Sequence, residues 1–238
     1  MIVLANSRDI PALKDFCAGD AVGCRIGCNI DSYKTNLPFA PVWKIEQDGS
    51  LSGVISKLDG AVTLLCKTES AYLEAKEFIK MLPDVCEILS NSGENGAVMK
   101  FCGTPKKPAA EVTFASAQET AKLILRAQNL PSEEFDRIYV DISHRIRHNF
   151  LYTAVFRKDG IPVSCACAHI SGGDALISTV YTLWQHRKNG FAAEVLNFLC
   201  EKFADKNIFL MCERTLTEYY KKSGFSVTGG YNLESTLL

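Results

Sequence analysis

The apolar and polar positions between residues 111 and 238 follow strand-like and helix-like patterns in turn. Apolar runs bounded by turn residues predict strands at 111–114, 150–160, 161–170, 175–183, 207–213 and 225–233. Apolar residues at helical spacing predict helices at 116–128, from Pro131 through the 140s, at 191–206 and over the segment LTEYYKKS. The predicted order is strand, two helices, three strands, helix, strand, helix and strand.

Cap residues mark the ends of several of these elements. Ser116 and Glu119 have the spacing of a capping box, and so do Thr215 and Glu218. Gly224 is a candidate C-cap for the last helix. An Asp-Gly pair predicts a tight turn between the first two strands of the three-stranded meander.

The first half of the chain repeats much of this order. The pattern predicts a strand at MIVLA, helices within 7–36, and three strands at VWKIEQDG, SLSGVISKLDG and AVTLLCK. An amphipathic helix over 69–82 ends at Pro83, and a strand follows over 85–90. The two halves therefore resemble an internal duplication of secondary structure, without a repeat of sequence.

Two polar segments lie between the halves. NSGENG (91–96) and GTPKKPAA (103–110) contain glycine and proline without hydrophobic periodicity, which is typical of a linker. We place a domain boundary near residue 108, which divides the chain into 1–108 and 109–238. Each part has the size of a small domain.

Composition and charge narrow the classes of partner. The chain has 238 residues and a net charge of −1, with 12 basic and 13 acidic residues up to position 108 and 14 of each after it. Neither half has the basic excess that favours nucleic acid or anionic membranes. No apolar run approaches the roughly 20 residues that span a bilayer, and Arg8 and Asp9 interrupt the stretch where a signal peptide needs an apolar core. We expect a cytoplasmic protein, monomer or homodimer.

The ten cysteines lie mostly in apolar stretches, where free cysteine behaves as a small buried hydrophobe. Cys24 and Cys28, and Cys165 and Cys167, are the close pairs, and neither pair has the CxxC spacing of a zinc site. We expect buried thiols and no metal.

The segment VYTLWQHRKNGFA (180–192) joins a predicted strand to a predicted helix through a basic turn. A helix N-terminus presents unpaired N–H groups at the positive end of the helix dipole, and a pyrophosphate binds well there. Gly190 removes a side chain from the approach, and Ala192 keeps the next position small. Arg187 and Lys188 add positive charge.

This turn resembles a signature of the GNAT N-acetyltransferase superfamily. RKNGFA (187–192) matches R/Q-x-x-G-x-G/A, and YYKKSGF (219–225) resembles the family's aromatic-Y-x-K-x-G-F segment. The resemblance covers about 130 residues of the second half and includes the order of elements. It implies an α/β fold with a mixed, mostly antiparallel sheet flanked by helices, and the pattern of the first half suggests two such folds in tandem.

The resemblance also implies acetyl-CoA as cosubstrate and gives roles to residues. The family binds the pyrophosphate with the turn that here contains Arg187, Lys188, Asn189, Gly190, Phe191 and Ala192. It binds the pantetheine arm through the backbone of the preceding strand, here Val180, Tyr181 and Thr182. Tyr220 matches the general acid that protonates the CoA thiolate, a task that suits a phenol with a pKa near 10.

Some residues depart from the family pattern or have a simpler interpretation. Glu213 and Leu216 stand where the family often has Asn and Ala, and Asn189 stands where Lys, Arg or Gly is usual. Tyr220 could be a packing residue, and we expect its neighbour Tyr219 to lie in the core.

The sequence leaves the general base open. His169 and Asp174 flank the turn before the strand at 175–183. His144 and His148, four positions apart, share one face of the second helix, which in this superfamily commonly helps form the acceptor pocket. These four residues are candidates for the acceptor site, and the alternative for the helix is a polar surface face.

In the first half the corresponding strand-to-helix junction, LCKTESA (65–71), has no glycine, and Glu69 would repel a phosphate. We expect a degenerate GNAT-like domain there, without a coenzyme site.

The leading hypothesis is therefore transfer of an acetyl group from acetyl-CoA to a primary amine by direct attack in a ternary complex. The alternatives are a non-catalytic acyl-CoA-binding or regulatory protein on the same scaffold, and an aminoacyl-tRNA-dependent transferase.

Overall fold

The structure is a computed structural model that describes residues 1–235. Up to residue 101 its elements are β1 (Ile2–Leu4), α1 (Ile10–Cys17), α2 (Ala21–Tyr33), β2 (Asn36–Leu37), β3 (Ala40–Gln47), β4 (Ser50–Leu58), β5 (Ala61–Cys66), α3 (Glu69–Ile79), β6 (Glu87–Ser90) and β7 (Gly96–Phe101).

The remaining elements are β8 (Val112–Phe114), α4 (Ala117–Gln128), α5 (Phe135–Arg147), β9 (Leu151–Lys158), β10 (Ile161–Ser171), β11 (Asp174–Thr182), α6 (Phe191–Lys202), β12 (Asn207–Glu213), α7 (Thr217–Lys222) and β13 (Phe225–Ser235). Short 3₁₀ turns precede α5, α6 and α7. The predicted order of the second half is confirmed, and the structure adds β2 and β7, which the sequence pattern missed.

The caps show where local prediction succeeds. Ser116 and Glu119 form the predicted capping box at the start of α4. The second predicted box is wrong, because Thr215 donates its hydroxyl to Glu213 and α7 begins after Leu216 without a side-chain cap. Gly224 follows the end of α7 with a φ of +88°, as a C-cap glycine does.

One sheet runs through the whole described chain. Its strand order is β1-β3-β4-β5-β6-β13-β7-β12-β11-β10-β9-β8, with β2 paired to β3 outside this path. The pairs β5–β6 and β11–β12 are parallel, and the other pairs are antiparallel. The mixed, mostly antiparallel sheet with flanking helices is the predicted fold class.

The two halves share strands where they meet. Strand β7 lies between β12 and β13 of the second half, and the end of β13 pairs with β6 of the first half, through Asn232–Ser235. Gly96 allows this crossing, because a Cβ there would lie 2.1 Å from the ring of Tyr231. The halves are therefore joined by backbone hydrogen bonds as well as by side-chain packing.

Helix α2 lies between the two parts of this sheet, and ten of its 13 residues are buried. One edge packs against the strands of the first half, through Val22, Ile26 and Ile30. The opposite edge meets the second half, where Cys24 donates its thiol to the carbonyl oxygen of His169 at 3.7 Å. Gly27 faces Ser171 so closely that a Cβ would lie 2.4 Å from its hydroxyl oxygen.

The two faces of the second half's sheet are covered by different helices. Helices α6 and α7 pack on the face that carries Ile177 and Leu210, and Tyr220 belongs to this cluster. Helix α2 packs on the opposite face, which carries Leu176 and Phe209. A ligand between the strands would therefore meet α6 and α7 on one side and α2 on the other.

Eight of the ten cysteines are buried free thiols, as expected, while Cys86 and Cys102 are exposed. Within residues 1–235, no group of three His, Cys, Asp or Glu side chains is arranged to hold a metal ion. In the same part of the chain, every helix is too short or too polar to cross a bilayer.

Substituting Gly27 tests the close packing of α2. In Gly27→Ala the new Cβ would displace Ser171, which donates a hydrogen bond to Asp31 at 2.8 Å. Overpacking costs about 1–3 kcal/mol, which exceeds the gain of roughly 1 kcal/mol in helix propensity. We therefore expect a lower free energy of unfolding in urea. Gly173→Ala is the control, because its Cβ would meet nothing within 4 Å. Equal stability of Gly27→Ala and the unmodified protein would contradict this packing.

Candidate functional site

Strands β11 and β12 pair at one end and separate at the other. They are in register only from Asp174–Ile177 with 207–210, although both strands continue further. Thr179 has a φ of +50°, and the register of β11 with β10 shifts beside it. Such a bulge bends a strand and ends its pairing. The β11 edge at Val180, Tyr181 and Thr182 therefore faces the gap between the strands, and these residues are half-buried.

The basic turn follows directly after this edge. Lys188 and Gly190 have φ values of +64° and +80°, and α6 begins at Phe191. Among residues 1–235, the N–H groups at 188–192 have no acceptor. A Cβ at Gly190 would meet nothing within 4 Å, so the space before the helix is open. This arrangement can bind a phosphate group through several backbone N–H groups at once.

The side chains of the turn have different roles. Arg187 is exposed, donates to the carbonyl oxygen of Thr182 at 3.2 Å, and lies 4.9 Å from the ring of Trp184. Asn189 donates to the carbonyl oxygens of His186 and Arg187 at 3.1 Å and so braces the turn from inside. This contact explains physically how Asn serves at a position where the family usually has another residue. Lys188 is exposed and Ala192 is half-buried.

Tyr220 is the tyrosine that α7 directs toward the sheet. It is 7% exposed and packs near Phe225, and burial raises the pKa of its phenol. Its hydroxyl has no hydrogen-bond partner in the described chain, yet no fully buried side-chain oxygen there lacks one, so this hydroxyl keeps contact with solvent. Tyr219, expected in the core, is 39% exposed, which corrects that prediction. The short helix presents only one of the two rings to the sheet.

His169 reaches the gap from the face opposite Tyr220. It pairs directly with Leu176, which packs with α2, and its Nε2 lies 2.9 Å from the hydroxyl of Ser178. Burial, together with the charges of Arg145 and Arg25, lowers the pKa of His169 to about 3. The imidazole is therefore neutral at physiological pH and can hold the Ser178 hydroxyl beside the bulge.

Asp174 lies at the paired end of the two strands, away from the gap. It is 4% exposed and accepts hydrogen bonds from the N–H of Gly19 at 2.7 Å and the side-chain amide of Asn207 at 2.9 Å. These bonds tie the turn before β11 to α2 and β12. The structure brings His169 to the gap but not Asp174.

His144 and His148 share one face of α5, with ring centroids 4.5 Å apart. Nε2 of His144 lies 2.9 Å from the carbonyl oxygen of Ser32, and its ring stacks on Tyr33. His148 is exposed, and its Nδ1 contacts the backbone of its own helix. Both histidines therefore lie at the junction of the halves, where α5 meets the end of α2.

The structure adds Ser178 and Arg25 to the residues near the gap, and the sequence contained no signal for either. Ser178 gains its position from the register shift between β10 and β11. Arg25 belongs to α2 of the first half, and its charge acts on His169 of the second. Both placements depend on contacts between segments that are distant in sequence.

The corresponding junction in the first half is closed. Strands β5 and β6 pair from Ala61–Leu64 with 87–90. Asn91 then donates to the carbonyl oxygen of Cys66 at 2.9 Å and accepts from its N–H at 3.0 Å. Thr68 caps α3 by accepting from the N–H of Ala71. Side chains therefore occupy the backbone groups that are free in the second half.

Comparison with known families agrees with this geometry. Residues 118–225 match the family model described as the acetyltransferase (GNAT) family. The second half of the chain belongs to the GNAT family. Both the separated strands and the basic turn lie within the matched GNAT residues. Membership supports a general acyl-transfer function. No curated protein matches the chain.

Solved GNAT structures match both halves together. A tandem GNAT protein from the clavulanic acid biosynthesis pathway is 11% identical, with a TM-score of 0.61 over 100% of this chain and 99% of that chain. A GCN5-related N-acetyltransferase from Sphaerobacter thermophilus is 14% identical, with a TM-score of 0.59 over 98% and 94%. A Drosophila protein is 9% identical, with a TM-score of 0.69 over 98% and 96%. At these identities the matches show the GNAT fold across the whole chain.

Proposed function

We propose that the protein is an N-acetyltransferase that transfers the acetyl group of acetyl-CoA to a primary amine. The observation that carries this proposal is the separation of β11 from β12 after Ile177, directly before a turn with free N–H groups. A strand edge and a helix N-terminus then face one gap. Coenzyme A needs both, because it has amide groups along its pantetheine arm and a pyrophosphate at the end of it.

The residues present fit this cosubstrate. The N–H groups at 188–192 and the side chain of Arg187 would hold the pyrophosphate. The backbone at 180–182 would pair with the pantetheine amides, as an edge strand pairs with an added strand. Acetyl-CoA supplies the acetyl group as a reactive thioester.

Tyr220 is the proposed general acid. Burial raises the pKa of its phenol, so the hydroxyl keeps its proton at neutral pH until the CoA thiolate leaves. The hydroxyl has no competing partner in the described chain. Cys212, near the end of β12, acts electrostatically on this phenol, so the hydroxyl lies close to the strand that borders the gap.

His169 and Ser178 would position the acceptor on the opposite face of the sheet. A histidine with a pKa of about 3 is a weak base at neutral pH, so we assign His169 the role of hydrogen-bond partner of Ser178. The amine would then approach the gap from the side of α2 while Tyr220 lies on the side of α7.

In the first half, Asn91 and Thr68 occupy the backbone groups that would have to receive a coenzyme. We propose that this half has a GNAT-like fold without a coenzyme site, and that its contribution to function comes through α2.

Reversing the charge of the turn should weaken coenzyme binding. Arg187→Glu replaces an exposed guanidinium by a carboxylate. Because a charge-assisted hydrogen bond contributes about 1.5–3 kcal/mol, we expect at least a ten-fold higher Kd for acetyl-CoA and CoA in calorimetric titration. Lys202→Glu, at the far end of α6, makes the same charge change about 16 Å away and should leave Kd within two-fold. An unchanged Kd in Arg187→Glu would remove the turn from the binding site.

Removing one hydroxyl tests the general acid. Tyr220→Phe keeps the ring that packs in the core, so the fold should be retained. We expect kcat to fall by about ten-fold or more, with little change in the Kd of acetyl-CoA, because positioned acids contribute about 10²–10⁴ in rate. Tyr219→Phe, with a ring centroid 5.1 Å away, is the matched control and should keep full activity. A Tyr220→Phe protein with unaltered kcat would exclude this role.

A further inference from the structure

Helix α2 brings one arginine of the first half to the acceptor side of the gap. Arg25 lies close enough to His169 for its charge to contribute to the lowered pKa of that imidazole. His169 in turn contacts Ser178, the residue before the bulge. The path from the guanidinium to the separated strands is therefore short, and it lies on the face opposite Tyr220.

The guanidinium of Arg25 is not committed to a structural contact. In the described chain it makes no hydrogen bond, and its ion pair with Glu87 has an N···O distance of 3.8 Å. The neighbouring Arg145 is different, because it donates to Asp141 at 2.8 Å, to Asn29 at 3.0 Å and to the sulfur of Cys28 at 3.3 Å. Arg145 is only 4% exposed, whereas the Arg25 side chain is 40% exposed.

Arg25 also has the surroundings of a cleft wall. Its side chain reaches water, yet burial among protein groups lowers its pKa, as does the charge of Arg145. A cation that is accessible but partly desolvated binds an anion more strongly than a cation on an open surface does. Its donors form a planar fork that matches a carboxylate in two places at once.

We propose that Arg25 binds the carboxylate of the acceptor, so that the substrate is a small amino carboxylate such as an amino acid. This inference rests on the proposed N-acetyltransferase function. A single negative charge fits the site better than a phosphate, because Arg145 is already paired, His169 is neutral, and Glu87 is a nearby acid. The short path from Arg25 to Ser178 fits an acceptor whose amine and carboxylate are close together.

The test compares amino acids with their α-carboxamides, which keep the amine and the side chain but lose the negative charge. The unmodified protein and Arg25→Gln are assayed with acetyl-CoA, and acetylated products are identified by mass spectrometry. Because the amide changes the basicity of the amine, the informative quantity is the acid-to-amide ratio of kcat/KM in the unmodified protein divided by that ratio in Arg25→Gln. We expect this quotient to be roughly ten- to hundred-fold. A quotient near one would overturn the inference.

Two further variants keep the test clear if Arg25→Gln folds poorly. Arg25→Lys keeps the charge but loses the planar fork, so it should retain part of the preference for amino acids. Glu87→Gln removes the acid that competes for Arg25, so KM for amino acids should fall several-fold. A KM that is unchanged or higher in Glu87→Gln would contradict the proposed role of Arg25.

Acetyl-CoA binding, measured on the same samples, separates this inference from the proposed function. An unmodified protein that does not bind acetyl-CoA contradicts the proposed function itself. A protein that binds acetyl-CoA but acetylates no amino carboxylate, or acetylates amides equally well, contradicts only the assignment of Arg25.

Discussion

The close packing of α2 between the two parts of the sheet is the constraint on which the rest of the structure depends. Gly27 and Cys24 keep the helix surface small where it meets β10, so the helix axis can approach the strand. A larger residue at either position would have to displace Ser171 or the backbone at His169. The same helix therefore joins the two hydrophobic cores and brings Arg25 to the face that the acceptor would use. A shared strand, β7, then fixes the halves to each other by backbone hydrogen bonds.

The two halves illustrate how one strand-to-helix junction can be open or closed. Unpaired backbone groups cost free energy when water cannot reach them, so a gap between strands is retained only where it remains solvated or binds a ligand. In the first half Asn91 satisfies both backbone groups of Cys66. In the second half the positive φ of Thr179 separates the strands, and Gly190 leaves space before α6. Positive φ at a threonine is strained, and such strain concentrates at functional sites.

Local sequence signals predicted most elements because helices, caps and turns depend on neighbouring residues. The capping box of Ser116 is an example. Strand β7 was missed because its short apolar run follows a Gly-rich segment, and its partners lie more than 100 residues away. The direction of Tyr219 was wrong because α7 is too short for periodicity to define a face.

The candidate site was predictable to the same extent. The turn at 187–192 has a motif of its own, and the structure places it beside the gap, although its binding role is still untested. Arg25 and Ser178 have no motif, because their positions follow from the packing of α2 and from a register shift. Asn189 shows an intermediate case, in which a departure from the family pattern is explained by two hydrogen bonds within the turn.

Hydrogen–deuterium exchange with and without saturating acetyl-CoA tests the central claim, that one junction is open for the coenzyme and the other is closed. The structure predicts slower exchange at 180–182 and 188–192 when acetyl-CoA is present, because these free backbone groups would gain partners. It predicts unchanged exchange at 66–71, where Asn91 and Thr68 already supply partners. Protection confined to the first half, or protection in neither half, would contradict the account.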